Sequence, residues 1–485
     1  MERRTLVPLL LLVLVAAALR LHALDGEPWL DEVTTYLRDR NRSLSEIVTR
    51  YDSQNQHVLY SALAHLSIAS FGDSVASLRA PAVVFGVLSV VALYLFSRAV
   101  VPPAEALLAS AVLAFSYHGV WFSQNARGYT MLLCWTLLSS LLLLRAAAGE
   151  RRRTWIAYAC VVALGAWTHL TMLFVAAGHL LVHARLRRRA QPVGAPRGHG
   201  LVWGFALALL LVIVVYAPVL PSVLAVNGSE GLAARVPRWK SSGWALGELA
   251  TALRGAFAAA GLALVAAVVG ALGVVRFARE RPEVVELAAY PVAVAAAVVI
   301  GSEHDLWPRF FFFALGFAAL LLVAGAMEVG RLAASVAPPL RGRGRAVGAT
   351  LVLLIVALEA ATVSRAWGPK QRYRDALALV ARERRPGDAV LVIGTGHRVF
   401  VDFYRADWRV VASLGEVRDA SARARRTWLV HSFPVAMAAR HGDVERELRA
   451  GFDLVGRFAG TLNGGDVLVW RTAAEDGRHA RSVDR

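Results

Sequence analysis

Cysteine is nearly absent, with only Cys134 and Cys160 in 485 residues, and both fall inside apolar stretches. That excludes a disulfide framework and a cysteine-based metal site, and the two read as small core hydrophobes. Acidic residues are also scarce, 35 against 53 Lys and Arg, for a formal net charge of +18. A surplus of that size raises nucleic acid as a partner. The arginines, however, gather in the gaps between apolar runs, where the bias of positive charge towards the cytoplasmic side of a membrane accounts for them. No nucleic-acid partner is expected. The apolar runs are almost bare of charge and show no pair of repeated halves. A transporter or lipid flippase, the alternative for such a chain, would carry ionisable residues or broken helices near mid-bilayer, usually in two such halves. A lone Gly394-Thr395-Gly396 is too little for a phosphate-binding loop and reads as a turn.

What the sequence does have is apolar length. Hydrophobic residues make up 57% of it and the mean hydropathy is +0.50, so a polytopic α-helical membrane protein is expected. Arg3 and Arg4 ahead of an apolar run resemble a signal peptide, but the segment is read as a retained first span. At about 20 residues per span, helices are expected near 5–22, 80–98, 104–120, 128–145, 154–168 and 169–184, then 201–221, 252–275, 284–301, 308–328 and 346–363. The arginine-rich connections, such as Arg151–Arg153 and Arg185–Arg189, alternate with mixed, aromatic ones, which sets the former in the cytoplasm. The pair at 154–184 is short for two spans, and a tight hairpin at Trp167-Thr168-His169 keeps Arg185–Arg189 on the basic side. About eleven spans then put the C-terminus outside, the same face as the first loop.

Three domains follow: a transmembrane module over 1–365 with a long first outer loop at 24–79, a soluble extracytoplasmic α/β domain over 366–473, and a disordered polar tail, 474–485. In the loop, Leu44, Ile47 and Val48 against Arg42, Glu46 and Arg50 suggest a surface amphipathic helix. His57–Ser70 is too short to cross a bilayer and reads as interfacial or partly re-entrant. In the soluble domain, helices are expected at 371–385, 397–404 and 434–449, with strands at 389–393, 408–412, 427–431, 452–458 and 466–471.

Loops of that length usually carry function, and this one opens with EPWLDEVTTY, 27–36. A hydroxyl attacks poorly until something removes its proton, and a carboxylate such as Asp31 within hydrogen-bond reach can do that. Pro28 is expected to open a short helix, placing Asp31 and Glu32 where the macrodipole favours negative charge. Acidic residues in a first turn are also ordinary capping, so the spacing leaves both readings open.

Two further outward-facing stretches accompany it: SQNARGY at 123–129 and WPRFFFF at 307–313. With these three the sequence resembles the GT-C glycosyltransferases, specifically bacterial relatives of the protein O-mannosyltransferases and lipid A aminoarabinose transferases. The resemblance covers about residues 1–363, including FGDSVASLRAPAVVFGVLSVVALYLFSRAV at 71–100, which looks like the family's loop exit and second span. It implies an enzyme that moves a hexose or pentose from a polyprenyl-phosphate lipid to an acceptor protein, lipid or polysaccharide on the outer side. It also implies that Asp31 is the base with Glu32 beside it, and that Arg127, with Tyr129 two residues on, and Arg309 bind the donor phosphate. Guanidiniums at the membrane surface suit that task, because the departing lipid phosphate gains negative charge. The alternative is that both are ordinary interfacial arginines, snorkelling or packed on Trp121 and Phe310.

Many relatives have His-Pro-Pro-Leu-Tyr in the first loop; here QNQHVLY keeps His57, Leu59 and Tyr60 without the prolines. His57, Tyr60 and His169 are candidates for positioning substrate. His57 and His169 with Glu32 could hold a divalent metal, though no metal site and no cofactor is assigned. His304 and Asp305, just before Arg309, are further candidates of the same kind, and the stretch Pro221–Trp244, with Trp239 and Lys240, is read as a cover over a lipid or acceptor groove.

Overall fold

The computed structural model describes residues 3–53, 56–149, 151–190, 200–228, 241–257, 260–302, 307–460 and 464–472. His304, Asp305, Trp239 and Lys240 therefore lie outside the described residues. The chain separates into two compact units. The larger is helical and belongs to a multi-pass membrane protein. Among the described residues, six of its helices are long and apolar enough to cross a bilayer, including Val75–Ser97, Tyr129–Gly149 and Pro282–Gly301. Two helix pairs pass the same test only when joined across bends of 58° and 82°. Helices lie over each segment expected to span, but length and apolarity mark fewer of them outright than the eleven expected.

The 58° bend divides the third expected span into Pro103–Phe115 and Tyr117–Ser123. A break inside an apolar bundle leaves carbonyls without helical partners, and each must be satisfied by something nearby. Arg20, fully buried in the first helix Arg3–Leu21, supplies the donors: its guanidinium reaches the carbonyls of Ala114 at 3.0 Å and Leu113 at 3.4 Å, and Ser123 Oγ at 3.0 Å. Gln124 Nε2 in turn donates to the Arg20 carbonyl at 3.0 Å. The first span is thereby stitched to the bend just ahead of Arg127. Elsewhere the bundle closes on small residues. A Cβ on Gly273 would meet the Leu321 carbonyl oxygen at 1.9 Å, and one on Gly325 the Val269 carbonyl oxygen at 1.7 Å, so the two backbones touch where only glycine fits.

The smaller unit contains residues from Gly368 onward together with Gly26–Asn41. Its sheet comprises β1 (Asp388–Ile393), β2 (Arg409–Val411), β3 (Arg426–Ser432), β4 (Phe452–Phe458) and β5 (Val467–Thr472) in the order β2-β1-β3-β5-β4. β1 is parallel to β2 and β3, while β5 is antiparallel to β3 and β4. The period-2 alternation sorts the strands' side chains to two faces. Val390, Val392, Trp428 and Val430 join one core with Tyr373 and Phe400, and Leu391, Ile393 and Leu429 join the other with Val417, Val444 and Leu448. The first core also takes in Val33, fully buried, from the helix Leu30–Asp39. That helix was expected within the loop of the membrane module, but its apolar face is built into the C-terminal core.

Several local expectations change. The expected helix 434–449 is two, Pro434–Arg440 and Gly442–Gly451, interrupted at His441. Residues 398–403 wind as a π-helix. A helix at Leu414–Arg423 was not anticipated, although Ser413 caps it by accepting from the Glu416 N–H at 3.3 Å. Pro28 does not open its helix: Trp29 is the N-cap in an extended conformation, and the Glu32 side chain accepts from its N–H at 3.2 Å.

Candidate active site

The membrane unit gathers four of the expected residues around the imidazole of a fifth, His169. His169 lies in the short connection between the helices Arg152–Thr168 and Met172–Ala190. Its ring centroid is 4.6 Å from that of His57 and 5.5 Å from that of Tyr129. Burial first, and then the guanidinium charges of Arg127 and Arg309, hold its pKa down to about 3. His169 is thus a neutral group facing two cations, able to hydrogen-bond but unable to add a third positive charge.

His57 is the N-cap of the helix Val58–Phe71 and is buried. Arg127 Nη2 stands 2.8 Å from its Nε2, and the Gly128 N–H donates to its Nδ1 at 3.0 Å. A neutral imidazole accepts at one nitrogen only, so these two donors compete for the ring. Gly128 is what permits the approach: a Cβ there would meet Thr168 Cγ2 at 2.6 Å and His57 Nδ1 at 2.8 Å. Arg127 itself is 3% exposed, and its guanidinium carbon lies 5.9 Å from the Tyr129 ring centroid. Arg309 sits in the 3-10 turn Pro308–Ala314 and stacks over Trp307 at 4.7 Å. Tyr129 and Trp307 are thus among their aromatic neighbours. Phe312 closes the wall, 4.3 Å from Phe122 and 6.4 Å from Tyr129.

Tyr60, the remaining positioning candidate, lies on the helix Val58–Phe71. Its buried hydroxyl donates to the Leu78 carbonyl at 2.8 Å, which ties two helices together.

Asp31 and Glu32 belong to the C-terminal unit, and the bracing around them is extensive. Glu32, fully buried, faces Lys370 Nζ at 3.9 Å in addition to capping Trp29. Gln371 Oε1 accepts from the Leu30 N–H and from the Tyr373 hydroxyl, both at 3.0 Å, while its Nε2 donates to the Gly465 carbonyl at 3.0 Å. Glu27 accepts from the Arg374 N–H at 2.6 Å and from the Tyr404 hydroxyl at 3.3 Å. Asp31 lies half-buried at the second position of this helix, where consecutive side chains diverge by about 100°. Its neighbour Glu32 is directed into the unit. Glu32 thus serves inside the C-terminal unit as the cap of Trp29 and the partner of Lys370. Among the described residues no three of His, Cys, Asp and Glu come together as a metal-binding group. Lys370, Gln371, Gly128 and Thr168 were not anticipated. For Gly128 a signal existed, a glycine wedged between Arg127 and Tyr129.

This helical unit with a small sheet-containing unit after it defines a class. Over 96% of this chain and 98% of the other, it superposes with a TM-score of 0.52 and 12% identity on ArnT from Cupriavidus metallidurans, a structure bound to undecaprenyl phosphate. Over 94% of this chain and 74% of the other, it superposes with a TM-score of 0.52 and 14% identity on the oligosaccharyltransferase AglB from Archaeoglobus fulgidus, in complex with an inhibitory peptide and a dolichol-phosphate. The fold is that of the GT-C glycosyltransferases. More narrowly, residues 56–221 match the family described as dolichyl-phosphate-mannose-protein mannosyltransferase, a stretch that contains His57, Arg127, Tyr129 and His169. No curated protein matches in sequence.

Proposed function

We propose that this protein is a membrane glycosyltransferase that moves a sugar from a polyprenyl-phosphate donor to a hydroxyl-bearing acceptor at the extracytoplasmic face. The observation that carries this reading is the gathering of Arg127 and Arg309 about the neutral His169, with His57 and Tyr129 beside them. Two guanidiniums charge one cluster strongly, and a lipid phosphate is the anion that such a cluster would hold bidentately. A phosphate oxygen there also gives the donors that compete for His57 an acceptor of their own. The undecaprenyl phosphate of ArnT and the dolichol-phosphate of AglB are ligands of that chemistry.

In the reaction, the acceptor oxygen attacks the anomeric carbon as Asp31 takes its proton. The bond from that carbon to the phosphate oxygen breaks, and the electron pair leaves with the lipid phosphate, whose charge Arg127 and Arg309 stabilise. One displacement inverts the anomeric configuration, since no second carboxylate is assigned as nucleophile. Lys370, through Glu32, and Gln371, through the Leu30 N–H, fix the helix that carries Asp31.

The test is turnover by purified protein of a panel of polyprenyl-phosphate sugars, comparing wild type with Asp31→Asn and Arg127→Ala. Asp31→Asn should bind donor normally and lose roughly 100-fold or more in turnover, while Arg127→Ala should weaken donor binding as well. Full turnover by Asp31→Asn would remove it as the base. Sidedness is read from reporter fusions after Ala190 and after Lys370, which should report opposite faces.

A further inference from the structure

The arginine-rich end of the membrane unit carries a partly open cavity of about 500 Å³ that the proposed reaction does not use. It lies where the C-terminal ends of Tyr129–Gly149 and Met172–Ala190 meet the turn between Ala260–Glu280 and Pro282–Gly301. Arg145, Arg187, Arg281 and Glu283 line it. Glu283 is taken by Arg281 at 3.6 Å, and among the described residues Arg145 and Arg187 face no carboxylate. The C-terminal ends of helices attract cations, and the charge bias of membrane proteins favours arginine on one side. Those two effects account for arginines, but not for what lies between them.

His183, 2% exposed, also lines the cavity, and among the described residues neither of its ring nitrogens has a hydrogen-bond partner. Arg187 Nη2 is likewise buried without an acceptor. Orphaned buried donors are few in folded proteins because each forfeits its hydration. Here two of them share one cavity, and what both lack is an acceptor with negative charge. Val100, Leu144 and Leu186 supply an apolar wall beside them, which an acyl chain would cover and a hydrated soluble ion would not.

We propose that this cavity binds the phosphate of an anionic membrane lipid, accepted by Arg187 and His183 with Arg145 at its mouth. It is separate in composition from the Arg127 and Arg309 cluster, sharing no residue with it, and its occupant needs no sugar.

The test is native mass spectrometry of the full chain released from detergent micelles after equilibration with dioleoyl phosphatidic acid, with dioleoyl phosphatidylcholine, or with phosphatidic acid plus inorganic phosphate. Wild type should retain phosphatidic acid and not phosphatidylcholine. Arg187→Gln and Arg145→Gln should each weaken retention roughly fivefold. Arg343→Gln, an exposed arginine outside the cavity, should leave it unchanged. Ala148→Trp, which fills the cavity without altering charge, should abolish it while the protein still elutes as a single species. Equal retention by wild type, Arg187→Gln and Ala148→Trp overturns the proposal. So does an Arg343→Gln loss as large as that of Arg187→Gln, which would mean diffuse surface attraction. Displacement of phosphatidic acid by an equal concentration of inorganic phosphate would overturn the lipid assignment in favour of a soluble anion.

Discussion

Replacing Lys370 with methionine removes the cation from a pair in which its side chain is 4% exposed and that of Glu32 is 0% exposed, 3.9 Å apart. At an effective dielectric of about 20, a pair at that separation is worth about 4 kcal/mol. This agrees with the roughly 3–5 kcal/mol lost when one partner of a buried pair is deleted and the other charge is stranded. Lys370→Met should therefore lower amide protection in the helix Leu30–Asp39 and in β1 and β3 by about a thousandfold. Turnover should fall with it, because Asp31 rides on that helix. The double variant Glu32→Gln, Lys370→Met removes both charges, keeps an acceptor for the Trp29 N–H, and should recover most of the protection and the turnover. The assay is hydrogen exchange by mass spectrometry on the full chain, alongside activity. A double variant no better protected than the single one refutes the assignment of this pair as a brace. A single variant with intact protection and lost turnover would instead place Lys370 against substrate.

Gly128→Ala should keep the protein folded yet cut turnover by roughly tenfold or more, because the new methyl meets Thr168 and displaces His57; unchanged kinetics would mean that His57 does not hold Arg127 in its working position. Gly325→Val should separate the helices at the Gly273 contact and cost roughly 3 kcal/mol or more, read as a lower unfolding temperature. Asp388 is held down at about 2: burial works against its ionisation, but Arg426, the Arg385 N–H and the Trp428 indole outweigh it. Since the folded pKa is depressed, the carboxylate contributes about 2 kcal/mol that is fully present above pH ~4 and lost as pH falls through ~2. Asp388→Asn should flatten the acid limb of the unfolding curve by that amount, and an unaltered limb would count against the assignment.

The strands of the C-terminal unit were legible because their pattern is local. Val390 to Ile393 and Trp428 to Val430 alternate between two buried faces, and the sequence reading placed β1 and β3 within a residue or two of Asp388–Ile393 and Arg426–Ser432. The gathering of Arg127, Arg309, Tyr129, His57 and His169 was legible only as a common side of a membrane. The contact between Arg127 and His57 joins residues 70 apart, and no periodicity encodes it. The attachment of Leu30–Asp39 to the last quarter of the chain was illegible for the same reason. Thr34, Arg38 and Arg40 look like a solvated loop helix, and nothing near Val33 announces that its partners are Tyr373 and Val392. Pro28 misled because a proline ahead of a helix suits its first turn, whereas here Trp29 takes the capping position so that Glu32 can reach back.

The bond from the Leu30 N–H to Gln371 closes over 341 positions, and this has a bearing on biosynthesis. The segment around Asp31 leaves the ribosome behind the first anchor, while the strands and the lysine that seat it are translated only after every span has been threaded. A nascent chain arrested before Gly368 would hold its arginines and histidines within the bilayer bundle but would have no frame for its acid. If Asp31 is the base proposed above, assembly of its helix waits on the translation of Lys370 and Gln371.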